Sequence, residues 1–350
     1  MNLIKKEILE VRDTYADKRR TKIEAKVEEI EVDTRVMVAS EDVRLLVSHD
    51  GYVKRSSLRS YQASSDSDNG LKDEDYPIVD ENVNTLDHLF IFTDKGNLIY
   101  RQIFEIEDSR WKETGSHLSQ EVGLGNDESI LKAFVFKDLK ETGNFLAATT
   151  ENYIKQVAFS DLLPGRTYKS RASKYCKLKS ADARVMDIYY VAKDAKNLVY
   201  VFTKHSYASA FPIEEVPVVS GKAMGVKFVS LKDDDKLAGY FLASDENDKI
   251  ALLTQRGSYK QMKLSEIPVT SRARRGVLTL RELKRQPHRV LLVTNVSNEM
   301  ALSIVTDTNK EIEIDRSNHQ STDRYSNGSF ILDPETDGTP VRFVKKIEEK

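Results

Sequence analysis

The sequence predicts an all-β fold of six propeller-like blades preceded by a single connector helix. Three observations carry that prediction. The first is a recurring hairpin, in which an apolar run ends in Ser or Thr and a turn-forming residue follows three positions later. The anchoring hydroxyls are Ser48, Thr93, Thr149, Thr203, Thr254 and Thr306, at intervals of 45, 56, 54, 51 and 52 residues. Their turn residues are Gly51, Gly96, Asn152, Ser206, Gly257 and Asn309, mostly types that tolerate the positive φ of a tight turn. The second observation lies 22 residues past each hydroxyl, where the sequence has Gly70, Gly115, Arg171, Gly225, Gly276 and Gly328. The third is an apolar strand ahead of the later hairpins, at Ala133–Phe136, Asp187–Val191, Gly239–Ala243 and Val290–Val293, with a period of 51–54 residues. Repeats of roughly 40–50 residues holding about four strands each are the signature of a propeller array.

Taken in order, Leu3 to about Val27 reads as a helix, because Ile4, Ile8, Val11 and Tyr15 fall near helical spacing with a charged opposite face. Residues 1–32 are therefore read as a connector helix and acidic link, and residues 33–350 as the six-repeat domain. The first repeat carries eight acidic residues against one lysine between Gln62 and Asp87, which predicts a solvated, mobile loop. Asp66, Asp68 and Gly70 do not make it a calcium loop, since the glycine and glutamate that an EF-hand needs are out of place. The third and fifth repeats have the opposite charge. Pro164–Arg184 holds seven basic residues and one acid, and Arg256–Arg289 holds ten basic residues and two acids. These basic runs fall at equivalent places in their repeats, which in a blade array would set them along one rim.

Composition excludes several function classes. The chain has 350 residues with net charge −2, 39% hydrophobic and 31% charged residues. Its single cysteine, Cys176, rules out an internal disulfide framework and fits a reducing, cytoplasmic setting. No run reaches the ~20 apolar residues of a membrane span, and the N-terminus lacks a signal-peptide core. The six histidines do not stand at metal-ligand spacing. There is no P-loop, dinucleotide motif or nucleophile elbow, and no cofactor is expected. His49-Asp50 resembles an acid/base pair, but Asp94-Lys95 and Lys204-His205 replace it in other repeats, so it reads as turn chemistry.

What remains is a basic surface punctuated by aromatics. Lys and Arg on a rigid rim suit duplex DNA, because they neutralise phosphates and release counterions without reading sequence. A curved rim would bend the duplex. Two rivals stand beside this reading. One is a protein-binding propeller that docks through the acidic first-blade loop. The other is a propeller enzyme, which needs convergent carboxylates or histidines that the sequence lacks.

The run EILEVRDTYADKRRTKIE, followed by an acidic link and a strand ending in SHDGYVKR, resembles the A subunit of bacterial type IIA topoisomerases where the DNA-cleaving core meets the C-terminal DNA-binding domain. The resemblance covers essentially the whole chain. It implies a six-bladed β-pinwheel, a propeller variant that exchanges strands between adjacent blades and binds DNA around a basic perimeter. In the gyrase branch a glycine- and arginine-rich box follows a Ser-Tyr pair in the first blade. Here Ser60-Tyr61 is followed by QASSDSDNGLKDEDY, so the chain is more similar to the topoisomerase IV branch, and chiral wrapping is in doubt. The resemblance further implies a nucleoid-associated protein that pairs, at full length, with two ATPase B subunits and a second A subunit. The catalytic tyrosine of that family falls outside this chain, so the piece alone is expected to be non-enzymatic. Lys54 and Arg55 match the family's GYVKR strand, and Arg101 and Lys155 stand in later copies of it. With Lys169, Arg171, Lys174, Lys177, Lys260, Arg272, Arg274 and Arg275 from the basic runs, they form the expected phosphate contacts. Tyr52, Tyr153 and Tyr207, one position past the turn, are expected to pack rather than to stack on bases.

Overall fold

The computed structural model describes residues 2–17, 38–64, 68–244, 248–296, 300–315 and 318–347. Contacts divide the chain into Met1–Ala39 and Ser40–Lys350; the boundary drawn from sequence at 32/33 lies outside the described residues. In the first unit a helix, α1, spans Asn2–Tyr15 with no buried residue. Its apolar positions Leu3, Ile4, Ile8, Val11 and Tyr15 are all exposed. Residues 18–27 of the expected helix lie outside the described residues.

Among the described residues, the second unit is built from six antiparallel sheets. The hydroxyl marker has a direct cause. Ser48 Oγ accepts the N–H of Tyr52 at 3.0 Å, and Thr93, Thr149, Thr203 and Thr254 accept the equivalent N–H at 3.1, 3.3, 3.2 and 3.2 Å. Each bond ties the end of one strand to the start of the next. The residue between them has to turn left-handed, with φ of 102° at Gly51, 76° at Gly96, 68° at Asn152, 70° at Ser206, 76° at Gly257 and 59° at Asn309. Side chains that tolerate this region are few, so the turn is readable in sequence.

The second repeat illustrates a whole blade. Its hairpin, His88–Thr93 and Asn97–Gln102, pairs on one side with Ile130–Phe136 and on the other with Ser173–Lys174. Ile130–Phe136 is the innermost strand, because it neighbours the corresponding strands of the first and third blades. Ser173–Lys174 comes from beyond the third hairpin and is therefore lent by the following repeat. The same loan recurs for Ser116–His117, Val226–Lys227, Val277–Leu278 and Ser329–Phe330. This is the strand exchange that the resemblance implies. The glycine marker explains itself here: Gly115, Gly225, Gly276 and Gly328 precede four of the five lent strands with φ of 85°, 95°, 81° and 73°. A Cβ on any of them would collide with the receiving strand, at Val53 O and Lys54 Cβ for Gly115 and at Ile154 O and Lys155 Cβ for Gly225.

Two expectations are corrected. The apolar strands that precede hairpins in sequence belong spatially to the blade before, whose innermost position they fill. Likewise the acidic segment of the first repeat is not one mobile loop, because Pro77–Asn84 forms the innermost strand of the first sheet. Val79 and Val83 face the core, while Asp80 pairs with Arg44 at 2.6 Å. The acidic residues occupy the exposed positions of a strand buried through its valines.

Between successive blades lie five apolar clusters, from Leu45, Leu89 and Ile91 at the first seam to Leu253, Leu302 and Ile304 at the fifth. Among the described residues no such cluster joins the sixth blade to the first. Among the described residues the sixth sheet has three strands, Met300–Thr306, Glu311–Glu313 and Pro340–Ile347, without a lent fourth. Its contacts to the first blade are polar or stacked: Asn309 Nδ2 donates to Asp73 O at 2.9 Å, and the Arg342 guanidinium lies 3.8 Å from the Tyr76 ring centroid.

Candidate nucleic-acid interface

The expected phosphate contacts separate into buried and exposed groups. Lys54 and Lys155 are 0% exposed and Lys260 is 2% exposed, which removes all three from the surface. Each ammonium sits in a cage of carbonyls supplied mostly by the next repeat. Lys54 Nζ donates to Asn69 O and Glu113 O at 2.6 Å each and to Trp111 O. Lys155 Nζ donates to Ser220 O, Gly221 O and Ala223 O at 3.0, 3.3 and 2.9 Å. Lys260 Nζ donates to Thr279 O, Arg324 O and Ser326 O at 2.6, 3.0 and 2.8 Å. These lysines clasp the lent strand to the blade that receives it. The expectation that they contact phosphate is overturned by their burial, since all of their N–H donors point inward.

The second seam is clasped differently. Arg171 stands where the other repeats have glycine, and Ile99 stands where the first, third and fifth have lysine. Arg101 takes over, 4% exposed, donating to Tyr168 O and Lys169 O at 3.0 Å each and to Glu121 at 2.9 Å. It too is withdrawn from the phosphate surface. Arg55 is half-buried, and its Nε donates to Ile106 O of the second repeat at 2.7 Å.

The exposed group comes from the lent segments themselves. Lys169, Arg171, Lys174 and Lys177 are exposed, as are Arg166 and Lys179 around them. Lys169 pairs with Glu105 at 2.7 Å but keeps 68% of its side chain exposed. In the fifth repeat Arg274 is exposed, while Arg272 is half-buried against Glu215 O at 3.2 Å. Arg275 lies flat on Tyr207, 3.8 Å from its centroid. Tyr153 and Tyr52 carry Lys179 and Lys72 in the same manner, at 6.0 and 5.3 Å. The three recurring tyrosines thus support cations on the hairpin tips, as expected of packing residues. Lys222 and Lys227, exposed on the fourth repeat's lent segment, were missed because that stretch has no basic excess. Only their register with Lys169 and Lys174 gives them away.

The geometry matches known proteins. Residues 45–67, 87–137, 197–243 and 248–282 match the family model of the DNA gyrase C-terminal domain, β-propeller. The chain is 38% identical, over 96% of its length, to the A subunit of DNA topoisomerase 4 from Streptococcus pyogenes serotype M1, and 38% identical over 97% to that of Bacillus subtilis. It spans 43% and 41% of those two relatives, less than half of each. A crystal structure of the C-terminal domain of DNA topoisomerase IV superposes with a TM-score of 0.81 at 37% identity, covering 89% of this chain and 95% of that one. The chain belongs to the family of C-terminal domains found in the A subunits of gyrase and topoisomerase IV. The gyrase A C-terminal domain itself, at 22% identity and a TM-score of 0.61, shares the fold.

Two further features of this topoisomerase-family domain concern its chemistry. His49, Asp50 and Asp75 place ligand atoms within 4.8 Å of one another, yet the group is accounted for as a turn. Asp75 Oδ1 accepts the Asp50 N–H at 3.0 Å, and Asp235 Oδ1 accepts the His205 N–H at 2.9 Å in the fourth repeat. The clasp lysines, by contrast, titrate unusually. Burial pulls Lys54 and Lys260 from 10.5 down to about 8 and lowers Lys155 as well. A lysine whose native pKa lies below its unfolded value releases its proton from the native state first. Between about pH 8 and 10 the unfolded chain therefore binds more protons, and stability rises with pH over that window. In urea titrations at pH 7.5 and 9.5, the midpoint gain is expected to shrink in Lys260→Met; an unchanged gain would remove Lys260 as its source.

Proposed function

We propose that this domain holds and bends double-stranded DNA on the outer rim of its middle blades, without reading sequence, within the A subunit of a topoisomerase IV. It would present the segment to a cleavage core carrying the catalytic tyrosine outside this chain. At full length it would work with two ATPase B subunits and a second A subunit in chromosome decatenation and relaxation. The observation that carries the reading is the placement of Arg166, Lys169, Arg171, Lys174, Lys177, Lys179, Lys222, Lys227 and Arg274, all exposed on lent segments at blade edges. Fixed cations on a rigid edge favour phosphate contact, and a row of them favours a curved duplex path. Such a rim would act on any sequence alike. Among the described residues no helix is long and apolar enough to cross a membrane.

The test is fluorescence anisotropy of a labelled, sequence-random duplex of about 40 base pairs, titrated at several salt concentrations. Affinity that falls steeply with salt and does not vary with sequence is the expected result. No binding at low salt would overturn the reading.

A further inference from the structure

Among the described residues of the blade domain, the large hydrophobic side chains left exposed are few, and two of them fall at one place in consecutive repeats. Val218 and Val269 each stand 15 residues past their repeat's hydroxyl, at 51% and 44% exposure. A single exposed valine is ordinary and calls for no explanation. Recurrence at one bridged position in the fourth and fifth repeats is different, because both residues stand on lent segments that also carry exposed cations. In the first, second, third and sixth repeats the same position holds Ala63, Asp108, Pro164 and Ser321.

The backbone at these points is fixed. Gln156 N donates to Pro217 O at 3.0 Å and Val219 N donates to Gln156 O at 2.9 Å, so the residue between, Val218, is clamped to the edge of the third blade. Val269 is bridged to Ala210 of the fourth blade, and Thr270 N donates to Ala210 O at 2.8 Å. Bonds from the flanking residues hold each backbone in place, and the exposed β-branched side chain it carries has one strongly preferred rotamer or few. Exposed cations flank them in the same lent segments: Lys222 and Lys227 follow Val218, and Arg274 follows Val269.

We propose that Val218 and Val269 are rigid apolar contacts to the DNA, pressing against the sugars and base edges of the minor groove between phosphates held by the neighbouring cations. This rests on the DNA reading above. Proteins that bend duplexes commonly oppose an apolar side chain to a groove while cations hold the flanking backbone. A rigid tip suits that role, since a mobile one would yield instead of deforming the duplex.

The decisive variant is the pair Val218→Thr with Val269→Thr, which keeps the branched shape and strand preference and exchanges one methyl for a hydroxyl at each site. It should bind the 40-base-pair duplex about three- to tenfold more weakly, given the apolar area lost. The slope of affinity against salt should stay unchanged, because no phosphate contact is removed. Energy transfer between dyes on the duplex ends should fall toward the unbent value, and the pair Val218→Ile with Val269→Ile should bind at least as tightly as the parent. Binding within twofold of the parent with undiminished bending would overturn the inference while leaving the DNA reading intact. Failure of the parent itself to bind would overturn both.

Discussion

Replacing Lys155 with methionine is expected to lower the free energy of unfolding by about 3 kcal/mol, read as a reduced urea midpoint, and to leave duplex affinity of the folded domain unchanged. Methionine fills the channel that the lysine stem occupies but donates nothing to Ser220 O, Gly221 O and Ala223 O. A buried acceptor left without a donor costs roughly 1–3 kcal/mol. Part of that loss is offset because an ammonium no longer has to be desolvated. Alanine should cost more, about 4–5 kcal/mol, since it also opens a cavity beside the seam. The damage should spread beyond one strand, because Lys155 fastens a segment of the fourth repeat onto the third blade. Unchanged stability with a tenfold loss of DNA affinity would return Lys155 to the phosphate surface.

That single residue also marks where sequence reading failed. The strand Tyr153–Ala158 looks like a surface strand with a lysine facing out, and in a simple hairpin it would be one. Strand exchange lays a second segment over it, so Ile154 and Lys155 are both buried. Nothing within the strand announces the cover. The information sits in a pair of positions one repeat apart: Lys54 goes with Gly115, Lys155 with Gly225 and Lys260 with Gly328. Each glycine lets the lent backbone approach the Cβ of its lysine. Where Ile99 replaces the lysine, Arg171 replaces the glycine, and Arg101 supplies the clasp instead. Ser209 with Gly276 breaks the pairing, so the glycine answers to backbone proximity and not to the lysine alone.

The hairpins were legible for the opposite reason, that their constraint is local. A positive φ three residues after a hydroxyl restricts one position to a few residue types, and period then reveals six copies. The acidic first repeat was misread because its inner strand is held by only two deeply buried positions, Val79 and Val83, among Asp80, Glu81 and Asn82. Such a strand is recognisable only from the sheet it completes.

With Lys54, Lys155, Lys260 and Arg101 withdrawn into the fold, the DNA reading rests on cations that the fold does not use. The triple variant Arg171→Ala, Lys174→Ala and Lys177→Ala should therefore separate stability from binding. Its thermal midpoint is expected to stay close to that of the parent, since all three side chains are exposed and surface substitutions of this kind usually stay within about ±0.5 kcal/mol. Its affinity for duplex should fall about 10- to 100-fold near 0.1 M salt, equally for unrelated sequences. The slope of log affinity against log salt should flatten by about 2.7, at roughly 0.9 for each phosphate contact removed. A loss confined to one sequence would point to base readout, which these flexible side chains on a blade edge are poorly placed to perform. An unchanged slope would mean that the lent segments are merely solvated, and the rim would no longer account for DNA binding. Together with the methionine variant at Lys155, the pair of outcomes assigns each cation of the repeat to holding the blades together or to holding the duplex.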